Sequence, residues 1–149
     1  MSRPKFRCAA DRLKGTHMKL VIAEKPSVGN SIARMIGADR QRGDGFTSGN
    51  GYIVSWCFGH LVALSSPEEY DKRYAKPWKL SNLPIIPEEF RWTVAESTAP
   101  QFEKLKALME RPDVDEIICA TDAGREGECV FRYVYYQAGC TKPFKRLWI

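Results

Sequence analysis

Two carboxylates four residues apart, Asp122 and Glu126, stand in the segment Thr121-Asp122-Ala123-Gly124-Arg125-Glu126-Gly127-Glu128, directly after the apolar run Ile117-Ile118-Cys119-Ala120. Oxygen ligands at that spacing, joined by a third carboxylate from a neighbouring strand, suit Mg²⁺, which binds a few protein carboxylates and completes its shell with water and phosphate. Glu24 is the candidate third ligand, because Glu24-Lys25-Pro26-Ser27 follows a second short apolar run, Leu20-Val21-Ile22-Ala23. Arg125 could fork onto a phosphate or lock a neighbouring carboxylate. His60 follows Gly59, where a sharp turn could leave the imidazole near a sheet edge. Plainer roles stand beside each of these. Glu126 and Glu128 could complement a helix dipole, Arg125 could form a surface ion pair, Glu24 and Lys25 a solvated one, and His60 could be structural.

The elements that must position these groups follow from the apolar spacing. An apolar run that ends abruptly in small and acidic residues, then resumes with helical periodicity, is how a buried parallel strand brings polar groups to its C-terminal edge. Lys19 to Ala23 therefore reads as one such strand and the run ending at Ala120 as another, the latter followed by a helix over Cys129 to Ala138. After the first strand, Ser27 is expected to cap a helix whose core stripe is Val28, Ile32, Met35 and Ile36, stopped by Gly37. Phe46-Thr47-Ser48 and Gly51 to Phe58 read as a hairpin across Gly49-Asn50-Gly51. Ser65 to Glu89, with Pro67, Pro77, Pro84 and Pro87, reads as a long surface excursion. Its Tyr70, Tyr74 and Trp78 alternate with Lys72, Arg73, Lys76 and Lys79; the rings could stack on bases, and packing of the loop onto the core is the favoured reading. Phe90 to Val94 alternates like a half-buried strand. Thr98 and Gln101 resemble a capping box for a helix with Phe102, Leu105, Leu108 and Met109 on its apolar face, closed by Pro112. Phe144 to Ile149 begins another strand, and its abrupt end suggests a fragment of a longer protein.

Composition narrows the class. With 149 residues and 44% hydrophobic content the chain can bury one ordinary core, and no apolar run approaches the roughly 18 residues of a membrane span. The formal charge of +5 is concentrated in Arg3, Lys5, Arg7, Arg12 and Lys14, opposed there only by Asp11. Residues 18–149 are thus nearly neutral, and any basic surface for a nucleic acid must be local. Residues 1–17 lack apolar periodicity and read as a disordered or appended leader. Five cysteines without a Cys-x-x-Cys pair fit reduced thiols in the cytoplasm and argue against zinc; Cys57 and His60 make half a ligand set at best.

Taken together, Met18 to Ser27, Trp56-Cys57-Phe58-Gly59-His60-Leu61, Ala120 to Glu128 and Lys145-Arg146-Leu147-Trp148-Ile149 closely resemble the N-terminal Toprim domain of bacterial type IA DNA topoisomerases, of the topoisomerase III group. The resemblance runs in order from Met18 to the end. It implies an α/β, Rossmann-like fold with about four mainly parallel strands between helices and an added hairpin. It also implies an Asp-x-Asp-x-Glu acidic signature, whose outer members match Asp122 and Glu126, with Glu24 as the separate glutamate. Gly124 occupies the place of the middle aspartate and so removes one potential metal ligand.

By the same resemblance, Glu24 would assist proton transfer and, with Asp122 and Glu126, hold Mg²⁺. Lys25 would stabilise the scissile phosphate, and His60 and Arg125 would contact DNA. The expected substrate is single-stranded or underwound DNA, in the bacterial cytoplasm on nucleoid or plasmid. The attacking tyrosine would lie in the remaining domains of a longer enzyme, which leaves this part inactive alone. A different Toprim enzyme, a primase or nuclease, and a non-catalytic DNA-binding module are the competing readings.

Overall fold

The computed structural model describes residues 17–148. The expected leader, apart from His17, and Ile149, the end of the strand expected from Phe144, lie outside the described residues. In chain order the elements are β1 (Met18–Ala23), α1 (Pro26–Ile36), β2 (Gln41–Gly43), β3 (Phe46–Gly49), β4 (Tyr52–Trp56), β5 (Val62–Leu64), α2 (Pro67–Tyr70), β6 (Trp92–Val94), α3 (Ala99–Glu110), β7 (Val114–Ala120), α4 (Arg125–Gln137) and β8 (Phe144–Arg146).

Six strands form one sheet in the order β2-β3-β4-β1-β7-β8. Four consecutive members, β4, β1, β7 and the edge strand β8, are mutually parallel and carry the expected parallel architecture. The hairpin is also present: Gly49 pairs with Tyr52 across Asn50-Gly51, and both turn residues have positive φ, 51° and 79°. That is the type I′ geometry that matches strand twist. A short exposed strand, β2, extends the antiparallel edge beyond what the polar stretch before Phe46 suggests.

The sheet is covered on both faces, which is why its inner strands read as unbroken apolar runs. Leu20, Ile22, Ile53 and Ile117 pack on one side with Phe102, Leu105 and Met109 of α3 and Val130, Phe131 and Val134 of α4. On the other side Val21, Val54 and Ala120 meet Ala33 of α1, with Ile32 and Ile36 partly buried beside them. The stripe on α1 is therefore rotated from the expected one. Pro26 opens the helix with Lys25 as its cap residue, so Ser27 lies within the first turn and makes no cap. Gly29 and Ala33 face the sheet, and Met35 is 87% exposed. Small residues are needed there, since a Cβ on Gly29 would come within 2.8 Å of the Trp56 ring.

Two further expectations change in form. The anticipated capping box is replaced by longer-range bonds: the Thr98 hydroxyl donates to the Leu61 or Ala95 carbonyl, and the Gln101 amide donates to the Trp56 carbonyl at 2.6 Å. The strand expected over Phe90 to Val94 is reduced to β6, which pairs only with β5 in a separate two-stranded ribbon and exposes Trp92 and Thr93. Among the described residues no helix is long and apolar enough to cross a membrane.

Candidate functional site

Parallel pairing brings the C-terminal ends of β4, β1, β7 and β8 to one edge, the place where open α/β sheets hold ligands. Ala23 is paired to Trp56 on one side and to Ala120 on the other. The residues that follow these three strands are consequently neighbours: the His60 turn, Glu24-Lys25 and the acidic loop.

Glu24 is the best enclosed of the candidates, with a side chain 12% exposed. One carboxylate oxygen accepts the Asp122 backbone N–H at 3.1 Å, joining β1 to the loop across 98 residues of sequence. The other lies 3.9 Å from the Lys25 ammonium. His60 Nε2 faces Glu126 Oε1 at 3.5 Å, so the histidine turn meets the first turn of α4. Asp122 and Arg125 project from exposed positions, and Arg125 forms no ion pair with a described residue. The structure thus gathers Glu24, Lys25 and the Asp122 backbone in one group and His60 with Glu126 in another.

The loop owes its shape to Gly127. A Cβ there would stand 2.2 Å from the Asp122 carbonyl oxygen, so only glycine allows the start of α4 to fold against the strand end. Gly124 is different: it has an extended backbone, φ −86° and ψ 171°, and a Cβ would meet nothing within 4 Å. Close backbone approach requires glycine at 127, not at 124. Helix α4 begins at Arg125, four residues before the expected start, which places Glu126 and Glu128 in its first turn, where their charges complement the helix dipole.

Thr121, Glu128 and Arg146 are the residues that motif reading passed over. The Thr121 hydroxyl donates to the Gly127 carbonyl at 2.7 Å and accepts from Arg146 at 3.0 Å. Arg146 also reaches the carbonyls of Thr121 and Asp122, both at 2.9 Å. Spacing does not mark Arg146: the parallel pairing of β8 with β7 brings its side chain to the same edge as the acids. Two buried thiols, Cys57 and Cys119, lie nearby. Burial, aided by the Glu24 charge, pushes Cys57 up to about 12, and burial also raises Cys119.

The carboxylates at the edge are hard oxygen donors, which fit Mg²⁺ in chemical type. The described residues contain no cluster of three His, Cys, Asp or Glu in metal-holding proximity. Glu24 meets the Asp122 backbone amide, and Glu126 is turned to His60.

This sheet order, with acidic residues at its strand ends, defines an α/β domain, and the chain belongs to the Toprim domain family, whose match covers residues 19–149. It is 50% identical over 131 residues to DNA topoisomerase 3 of Shouchella clausii, a match covering 88% of this chain and 18% of that protein. Against DNA topoisomerase 3 of Bacillus anthracis the identity is 51% over 130 residues, covering 87% of this chain and 18% of the relative. DNA topoisomerase 3 of Bacillus licheniformis is 49% identical over the same length and shares. The chain therefore spans less than a fifth of the curated relatives it matches.

Proposed function

We propose that this chain is the Toprim part of a type IA DNA topoisomerase of the topoisomerase III group, which cleaves a single DNA strand, passes another through the gap and reseals the break without ATP. The observation that carries the proposal is the buried Glu24 carboxylate tied to the Asp122 backbone at the β1–β7 junction. Identity of about one half to proteins named DNA topoisomerase 3 supports the same reading.

In this reaction a tyrosine oxygen from the remainder of the longer enzyme forms a bond to phosphorus while the bond to the ribose 3′-oxygen breaks. The products are a 5′-phosphotyrosyl link and a free 3′-hydroxyl. Glu24 assists proton transfer at the ribose 3′-oxygen, which gains a proton as the tyrosine hydroxyl loses one on cleavage, and the exchange runs in reverse on resealing. Lys25 stabilises charge on the scissile phosphate, and His60 and Arg125 contact the DNA backbone. Mg²⁺, where bound, would be held by Glu24 and Asp122, with Glu126 joining on release from His60, and would supply charge that keeps the phosphate backbone in place. Tyr135 of α4 is a poor nucleophile here, since it is buried with its hydroxyl donated to the Lys142 carbonyl. The substrate is single-stranded or underwound DNA in the bacterial cytoplasm, and the 149-residue chain alone does not relax supercoils.

Mg²⁺ titration followed by chemical shifts tests the metal reading. Perturbation is expected at Glu24, Asp122 and Glu126, and its absence even with bound oligonucleotide would sink the metal site. Gly124→Asp adds a carboxylate where space is open, so its Mg²⁺ affinity should rise roughly tenfold, equivalent to about 1.4 kcal/mol. In the longer polypeptide, relaxation of negatively supercoiled DNA should be lost in Glu24→Ala and in Lys25→Ala with folding intact. Normal activity in both would refute the roles assigned to them.

A further inference from the structure

Five bonds converge on one side chain that the proposed chemistry does not use. From the end of β8, Arg146 enters the strand edge with only 19% of its side chain exposed. One terminal nitrogen donates to the Thr121 carbonyl at 2.9 Å and lies 3.0 Å from both the Thr121 hydroxyl and the Cys119 sulfur; the other donates to the Asp122 carbonyl at 2.9 Å. Its Nε faces Glu128 Oε2 at 3.1 Å, and the opposite oxygen of Glu128 is held by Arg132 at 2.7 Å.

We propose that Arg146 is the positioning residue of the acidic loop, fixing the backbone at Thr121 and Asp122 so that the Asp122 N–H meets Glu24 and its carboxylate stays at the strand edge. The proposal deepens the metal and phosphate reading above and rests on it for its consequence.

The bonding geometry is specific to a guanidinium. Its planar fork addresses two successive carbonyls and a carboxylate at once, whereas a lysine ammonium is a single point on a flexible stem. Carbonyls at a strand end have no ladder partner and must find a donor when shielded from water. Arg146 supplies it, and Glu128 and Arg132 brace the guanidinium from α4. The loop is thereby tied to β8 on one side and to Glu24 on the other.

The test compares wild type, Arg146→Lys, Arg146→Ala and Glu128→Gln in the 149-residue protein, by amide hydrogen exchange and then by Mg²⁺ titration. Positioning predicts at least tenfold faster exchange at Asp122 in both Arg146 variants, with amides at the centre of β1 and β7 unchanged, and a smaller acceleration in Glu128→Gln. It further predicts at least tenfold weaker Mg²⁺ binding in Arg146→Lys. Unchanged exchange at Asp122 overturns the proposal, and so does uniform acceleration over the whole sheet, which marks a merely structural role. If Arg146→Ala fails to fold, Arg146→Lys and Glu128→Gln decide. Normal Mg²⁺ binding in Arg146→Lys alongside its loss in Asp122→Ala also overturns positioning while the metal reading stands. Absence of any Mg²⁺ response in wild type sinks the metal reading instead, and exchange at Asp122 alone then decides the role of Arg146.

Discussion

The strand-edge site and the excursion between Leu64 and Trp92 use similar side chains and hold them by different means. At the site, polar groups bond to backbone far away in sequence and largely out of water: Glu24 to Asp122, Gln101 to Trp56, Arg146 to Thr121 and Asp122. In the excursion the bonds stay within its own segment and are exposed to water. Asn82 donates to the Arg73 carbonyl, the Tyr70 hydroxyl pairs with the Arg91 backbone, and Arg73, Lys76 and Arg91 lie over Tyr74, Trp78 and Tyr70. Leaving a buried polar group unmatched costs more than the net gain from making an exposed bond. The site should therefore tolerate little change, and the excursion much more.

Gly127→Ala tests the tight half. Its Cβ would press on the Asp122 carbonyl, so unfolding free energy by chemical denaturation should fall by about 3 kcal/mol or more, as for other forced backbone clashes. A loss under about 1 kcal/mol would show the loop to be softer than described. Tyr70→Phe removes the hydroxyl that joins α2 to the Arg91 backbone and should cost about 1 kcal/mol. Trp78→Ala should change stability by less than about 0.5 kcal/mol, because the ring is 56% exposed and its partner is a surface lysine. Should Trp78→Ala cost as much as Gly127→Ala, the contrast between the two regions would collapse.

The same contrast explains what the sequence disclosed. The runs ending at Ala23 and Ala120 were legible because strands buried on both faces carry no polar alternation, and Asn50-Gly51 announces its own turn. Glu24 and Asp122 were legible as strand-end acids. The face of α1 was not, since Gly29 and Ala33 are chosen for closeness to the sheet and carry little hydrophobic signal. Thr98 and Gln101 have capping-box identities but spend their bonds on Leu61 and Trp56, partners that spacing cannot reveal. The favoured packing of Tyr70, Tyr74 and Trp78 onto the core is also corrected: Tyr70 and Tyr74 are only half-buried and Trp78 is exposed. Arg146 was visible only as part of a motif, because its importance depends on β8 lying beside β7.

The place of β1 at the middle of the sheet has a consequence in time. Its pairing with β4, Leu20 to Ile53, closes a short stretch of chain, whereas its pairing with β7, Leu20 to Ile117, waits for a much longer one. At ribosomal rates of about 5–20 residues per second, β1 spends roughly 5–20 s after its own synthesis with one hydrogen-bonding side unfilled. Once β4 has followed, the pairing order leaves one edge of β1 open until β7 arrives, and an unpaired apolar strand edge favours aggregation during synthesis. Glu24 acquires the Asp122 amide only when β7 arrives, so the site closes late in the birth of the domain.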